Sequence, residues 1–90
     1  MNFKYIIIPS NIILNHKIPM LAKVLYGEIK VLSFKNGYCE VSNSFLAKNN
    51  NCSTRTIIRM LNILKDENCI EINGNKKRKI KIINDSDVIS

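Results

Sequence analysis

The sequence has no long apolar run. Its longest unbroken one, Tyr5–Ile8, is four residues, against the roughly 18 that a membrane span needs. Ile6-Ile7-Ile8 is also too short for the apolar region of a secretory leader and runs into Pro9, so no leader is read at the N-terminus. No C-x-x-C pair occurs. Cys39, Cys52 and Cys69 are widely spaced and odd in number, and the single histidine, His16, is distant from all three. That pattern excludes a metal site of the zinc type and a disulfide framework. It leaves three reduced, half-buried thiols in a cytoplasmic protein. Paired carboxylates, a nucleophile–base pair and a glycine-rich phosphate loop are all missing, which argues against an enzyme and against any cofactor. Acidic side chains are scarce as well: 7 Asp and Glu stand against 14 Lys and Arg, a formal net charge of +7 on 90 residues.

What is present fits one small domain. Ninety residues leave room for a single core, and a hydrophobic fraction of 46% is enough to build it. The charge excess on so small a body points to a polyanionic partner. Nucleic acid is the first candidate and an anionic membrane surface the second. Ile (16), Asn (13) and Lys (11) dominate the composition; all three have A/T-rich codons, which reads as a low-GC source genome.

Along the chain, the unbroken apolar stretch in 3–8 reads as a strand, Phe3–Ile8. Pro9-Ser10-Asn11 interrupts it, and Ile12-Ile13-Leu14 is a second short run. Either run can pack on the body or pair with a second subunit. A helix is expected from Pro19 to Leu32, with Leu21, Leu25, Ile29 and Leu32 on one face. Gly27 inside it costs about 1 kcal/mol relative to Ala, a cost that a close approach by another element explains. Tyr38–Val41 is a short strand candidate. A short helix, Phe45–Lys48, follows a cap in Ser42-Asn43-Ser44, and Asn49-Asn50-Asn51 ends it. Ser53 caps a strongly periodic helix, Thr54–Glu67, in which Ile57, Leu61 and Leu64 form the core stripe and Ile58, Met60 and Ile63 widen it. Asn68 sits where a left-handed residue closes a helix. Two alternating strands, Cys69–Ile72 and Lys79–Ile82, flank Asn73-Gly74-Asn75, which reads as a tight hairpin turn. The tail from Asn84 to Ser90 is polar and acidic, and is expected to fray.

The order helix, short helix, turn, longer helix, hairpin is that of a winged helix-turn-helix. The fold class is therefore α+β: three helices, a C-terminal β-hairpin wing and an extra N-terminal strand. The N-terminal end of the longer helix can present side chains to base edges in a major groove. Those residues are Ser53, Thr54, Arg55 and Thr56, with Arg59 one turn on. Arg55 and Arg59, at i and i+4, project opposite the core stripe. The helix N-terminus attracts phosphate through its free N–H groups. The wing contributes Asn75 and the cations Lys76, Lys77, Arg78, Lys79 and Lys81. Residues 44–82 hold nine basic and three acidic side chains, so most of the excess lies in the half that carries the reading elements. Because the basic cluster falls on a hairpin and not on an amphipathic helix, a membrane surface is disfavoured.

These residues resemble the winged helix-turn-helix domains of plasmid and phage replication proteins of low-GC Gram-positive bacteria. The resemblance rests on Leu21-Ala22-Lys23-Val24-Leu25-Tyr26-Gly27-Glu28-Ile29, on Asn36-Gly37-Tyr38-Cys39, on Ser42-Asn43 with Ala47, on Ser53, Thr56 and Ile57, and on Leu61, Leu64, Asn68 and Ile70. It spans residues 18–72 and implies double-stranded DNA as the partner. Asn49 stands where that group usually has an apolar residue, and Asn51 and Asn68 stand where it has glycines. Members usually continue into a long second region, whereas this chain ends soon after the wing; the reading is therefore a stand-alone site binder that marks an origin or operator in replication, transfer or transcription. The expected organisation is an N-terminal arm over residues 1–17 that offers a dimer contact, a DNA-binding domain over 18–83, and an acidic tail over 84–90. The expected partners are A/T-rich duplex DNA, a second copy of the chain and other replication or transfer proteins. A protein-interaction module for an acidic partner is the alternative.

Overall fold

A computed structural model of the chain describes residues 5–74 and 77–83. The elements are α1 (Ser10–Ile13), α2 (Met20–Leu32), α3 (Asn43–Asn49), α4 (Thr54–Asp66), β1 (Ile70–Asn73) and β2 (Lys79–Ile82). This is an α+β winged helix-turn-helix: helices first, then an antiparallel hairpin. The strand expected at 3–8 is not formed at residues 5–8, and Phe3 lies outside the described residues. Pro9 has an extended backbone and its carbonyl accepts from the amides of Ile12 and Ile13, both at 3.0 Å. The second apolar run is thereby wound into α1, one turn long.

Gly27 shows why the arm does not wander. A Cβ placed there would lie 3.1 Å from the side chains of both Ile6 and Ile8. The arm lies across α2 at the one position without a side chain. Ile12 is buried in the core as well. Of the two uses open to these runs, packing on the body is the one taken by Ile6, Ile8 and Ile12, while Tyr5 and Leu14 stay exposed. Lys23 fixes α1 to α2 by donating from Nζ to the Ile13 carbonyl at 2.6 Å.

The core is built from Leu25, Tyr26 and Ile29 of α2, Leu46 of α3, Ile57, Leu61 and Leu64 of α4, and Ile70 and Ile80 of the hairpin. Each of the large aliphatic side chains contributes about 1.5–3 kcal/mol by leaving water. α4 packs against α2, α3 and β1, while β2 leans on α2. The periodicity of α4 misplaces one residue. Met60 is buried and Ile63 half-buried, but Ile58 is 48% exposed. At 3.6 residues per turn, Ile58 is turned about 100° from Ile57 and falls off the core side.

Two junctions share one device. Asn51 (φ 51°) follows the end of α3 and Asn68 (φ 58°) follows α4. After α3 the amide of Cys52 donates to the Ala47 carbonyl at 3.0 Å; after α4 the amide of Cys69 donates to the Leu64 carbonyl at 2.9 Å. Both are the six-to-one bond of a Schellman stop, with a left-handed Asn and then an apolar residue turned back toward the helix. Two of the three thiols are thus the apolar closers of an Asn-Cys pair. Burial pushes the Cys69 thiol above its ordinary value, and the buried Cys39 thiol likewise.

In the hairpin, Ile70 pairs with Ile82, Glu71 with Lys81, Ile72 with Ile80, and Asn73 with Lys79. The connection is wider than the tight turn expected, since residues 74–78 lie between the last paired residues. Gly74 (φ 87°) opens it, and a Cβ there would come within 2.6 Å of the Lys77 carbonyl. Tyr38–Val41 forms no strand of its own, only a single antiparallel bridge in which Cys39 and Ile80 exchange both amide–carbonyl bonds at 2.8 Å.

Candidate nucleic-acid interface

α4 is held by its inner face and presents its outer one. Ile57, Met60, Leu61 and Leu64 are buried, while Thr54, Arg55, Ile58, Arg59 and Asn62 are exposed. Ser53 and Thr56, both expected at the site, serve the start of the helix. The Ser53 hydroxyl accepts from the Thr56 amide at 3.1 Å and lies 3.0 Å from the Thr56 hydroxyl. Thr56 is half-buried in this cap, so the outward-facing groups of the first turn are Thr54 and Arg55. The first turn contains no acid, so the positive end of the helix dipole meets solvent uncompensated. Arg55 and Arg59 have no hydrogen-bond or ion-pair partner among the described residues. They lie one turn apart on the exposed side, as their spacing requires.

The turn that orients α4 is braced from behind. Asn50, at the end of α3, donates from Nδ2 to Glu28 Oε1 of α2 at 2.7 Å and to the Leu46 carbonyl at 2.8 Å. Glu28 is 3% exposed, and burial raises its carboxyl above the ordinary value, the Asn50 bond partly opposing that. A buried acid is costly unless something bonds it; here the bond joins two helices of the motif. Asn49 is exposed, so its polarity does not disturb the packing of α3.

The wing cations turn out unlike one another. Asn75 and Lys76 lie outside the described residues. Lys77 is exposed. Lys81 is exposed too, but the register puts Glu71 directly opposite, which offsets its charge on that face. Lys79 carries its ammonium 4.7 Å from the centroid of the Tyr38 ring, a cation–π distance. Arg78 is half-buried and points inward. Its Nη2 donates to the Val41 carbonyl at 2.7 Å and its Nη1 to Asn43 Oδ1 at 2.5 Å. Burial draws the guanidinium below its ordinary value, yet it stays charged at neutral pH. Expected as a phosphate contact, Arg78 instead engages its fork with the protein in this structure, because the Val41 carbonyl and the first residue of α3 lie within its reach.

Residues 78–80 therefore meet residues 38–43 in three ways, by guanidinium, ammonium and backbone. Sequence reasoning missed Tyr38, Val41 and Asn43 as wing anchors, since they stand far from the wing in the chain. It also missed Ile58 and Asn62 on the outer face of α4. Asn62 falls seven residues after Arg55 and four after Ile58, a spacing that would have revealed it. No helix among the described residues is long and apolar enough to cross a membrane. No curated protein and no solved structure matches the chain. The profile of the helix-turn-helix domain does match, over residues 16–69, which takes in α2, α3, α4 and the turn between the last two. With more than half of its length so matched, and with the second helix of the pair presenting its N-terminal half outward, the chain belongs to the helix-turn-helix domain family, a DNA-binding fold.

Proposed function

We propose that the chain is a sequence-specific binder of double-stranded DNA, encoded on a plasmid or phage, that marks an origin or operator. α4 enters the major groove, Arg55 and Arg59 contact base edges or phosphates, and the wing follows the adjacent backbone. The observation that carries this is the pair of exposed arginines, without a partner among the described residues, beside an acid-free helix N-terminus. Lys77, Lys79 and Lys81 extend the positive surface along the hairpin, and the proposal keeps Lys76 and Asn75 with them. One such domain covers only a few base pairs, so two copies on adjacent half-sites complete the proposal. A domain that reaches from residue 18 to 83 suffices for this work, with the arm as its N-terminal brace. An A/T-rich target is favoured because its narrow minor groove concentrates negative potential for wing lysines.

Electrophoretic mobility of a labelled A/T-rich duplex, titrated with the protein over a range of salt, tests the reading. The expected result is a retarded complex whose log affinity falls linearly with log salt. Absence of any complex with duplex DNA at physiological salt would overturn it and turn attention to an acidic protein partner.

A further inference from the structure

We infer that Ile58 and Asn62 are base-reading residues, Ile58 taking a thymine methyl and Asn62 an adenine edge. The inference rests on the proposal that α4 enters a major groove and names what it reads there.

An isolated exposed isoleucine is ordinary on a protein surface; the place of this one is what argues. Ile58 is 48% exposed on α4, within one turn of both Arg55 and Arg59 on the same outward side. No core packing holds it there, since the stripe of Ile57, Met60, Leu61 and Leu64 already fills the inner face. Among the exposed residues of α4, Ile58 is the only large apolar one. In a major groove the one apolar feature a base presents is the C5 methyl of thymine. Asn62 lies one turn further on. Its amide offers a donor and an acceptor together, the pair that matches adenine N7 and N6 in a bidentate contact. A polar side chain with no partner among the described residues costs nothing in solvent and is available to a ligand.

The spacing limits what the two can read. Residues four apart on a helix are separated by about 6 Å along its axis. Base pairs repeat at about 3.4 Å. The thymine and adenine so read lie within about two steps of each other, with Arg55 and Arg59 reaching guanine or phosphate alongside.

The test is selection of bound sequences from a randomised duplex library by the wild-type protein, Ile58→Ala and Asn62→Ala, all as full chains. Both positions are exposed and Ala is a strong helix former, so circular dichroism should show all three folded alike. The wild-type consensus should contain an A and a T within two steps. In the selected duplex, deoxyuridine at that thymine removes only the methyl and should weaken wild-type binding about fourfold, with no further loss for Ile58→Ala. Asn62→Ala should relax the choice at the adenine by about tenfold. If both variants select the wild-type consensus as sharply as the parent and deoxyuridine goes unnoticed, the inference is overturned while DNA binding stands. If the wild-type protein enriches no sequence, sequence-specific binding itself fails, and this inference with it.

Discussion

α4 and the wing carry the same sign of charge and hold it in opposite ways. The wing has more cations in sequence, but the structure engages two of them, Arg78 with Val41 and Asn43 and Lys79 with the Tyr38 ring; Lys81 stands opposite Glu71 in the register and Lys77 is exposed. α4 has fewer, and its two arginines are exposed and without a partner among the described residues. A count of charges along a sequence measures the field at a distance. It does not measure how many of them remain free to meet a phosphate. The wing is the more charged segment in sequence; in the proposed complex, the engagement of Arg78 and Lys79 moves weight toward α4.

The largest test of this contrast is Arg55→Ala with Arg59→Ala. Loss of two contacts should cost about 1–3 kcal/mol each, so affinity for a bound duplex should fall by about thirtyfold or more in a mobility-shift titration. An effect smaller than that of the wing variants below would reverse the ranking. Next is Arg78, compared as Arg78→Lys and Arg78→Ala. A Lys keeps the charge but cannot make the two-pronged contact. If Arg78 positions the wing, both variants should weaken binding by a similar factor, roughly tenfold, with the salt slope of the parent. A Lys variant that binds like the parent, beside an Ala variant with a shallower slope, would restore Arg78 to the phosphate. A smaller effect is expected of Lys77→Ala. It should reduce the salt slope by about one and the affinity by severalfold, equally for all duplex sequences.

The smallest effect concerns the brace behind α4. Burial raises the Glu28 carboxyl above its ordinary value of 4.5, so the folded chain binds that proton more readily than the unfolded one. Its contribution to stability is fully present below 4.5 and is lost as pH rises through the raised value. Glu28→Gln keeps an acceptor for Asn50 and carries no charge. It should be more stable than the parent near neutral pH, with the gap closing as the solution is acidified. Denaturant midpoints at several pH values would show this. A constant gap across the range would mean that Glu28 does not titrate as its burial requires.

Most of the helical frame was legible in the sequence because it is local. Ser42 and Ser53 cap the helices they precede, and Asn51 and Asn68 take positive φ where glycine would otherwise stand. The return strand Lys79–Ile82 follows from alternation, and the first strand lies one residue later, at Ile70–Asn73, than the expected Cys69–Ile72. The N-terminal apolar run was not legible as what it is: four apolar residues suit a strand or a packed arm equally, and the choice is made by Gly27, twenty residues away. The candidate site was legible only for its charges. Which cation is tied and which is free depends on partners remote in sequence, and Ile58 was absorbed into the core stripe because period alone does not say where the stripe stops.

The seam between residues 38–43 and 78–80 has a kinetic consequence. Its backbone bridge closes a loop of about forty residues, and loop closure is an entropic cost met before the contact gives anything back. α3 and α4 are neighbours in the chain and pack on each other, so their contact closes a far shorter loop. Interactions made after the transition state act on the rate of unfolding and hardly on the rate of folding. Weakening the seam should therefore leave the speed of folding almost unchanged and shorten the time for which a folded molecule keeps its wing in place. On that ordering, the lifetime of the placed wing follows this narrow contact, and the speed at which the chain first becomes compact is set elsewhere.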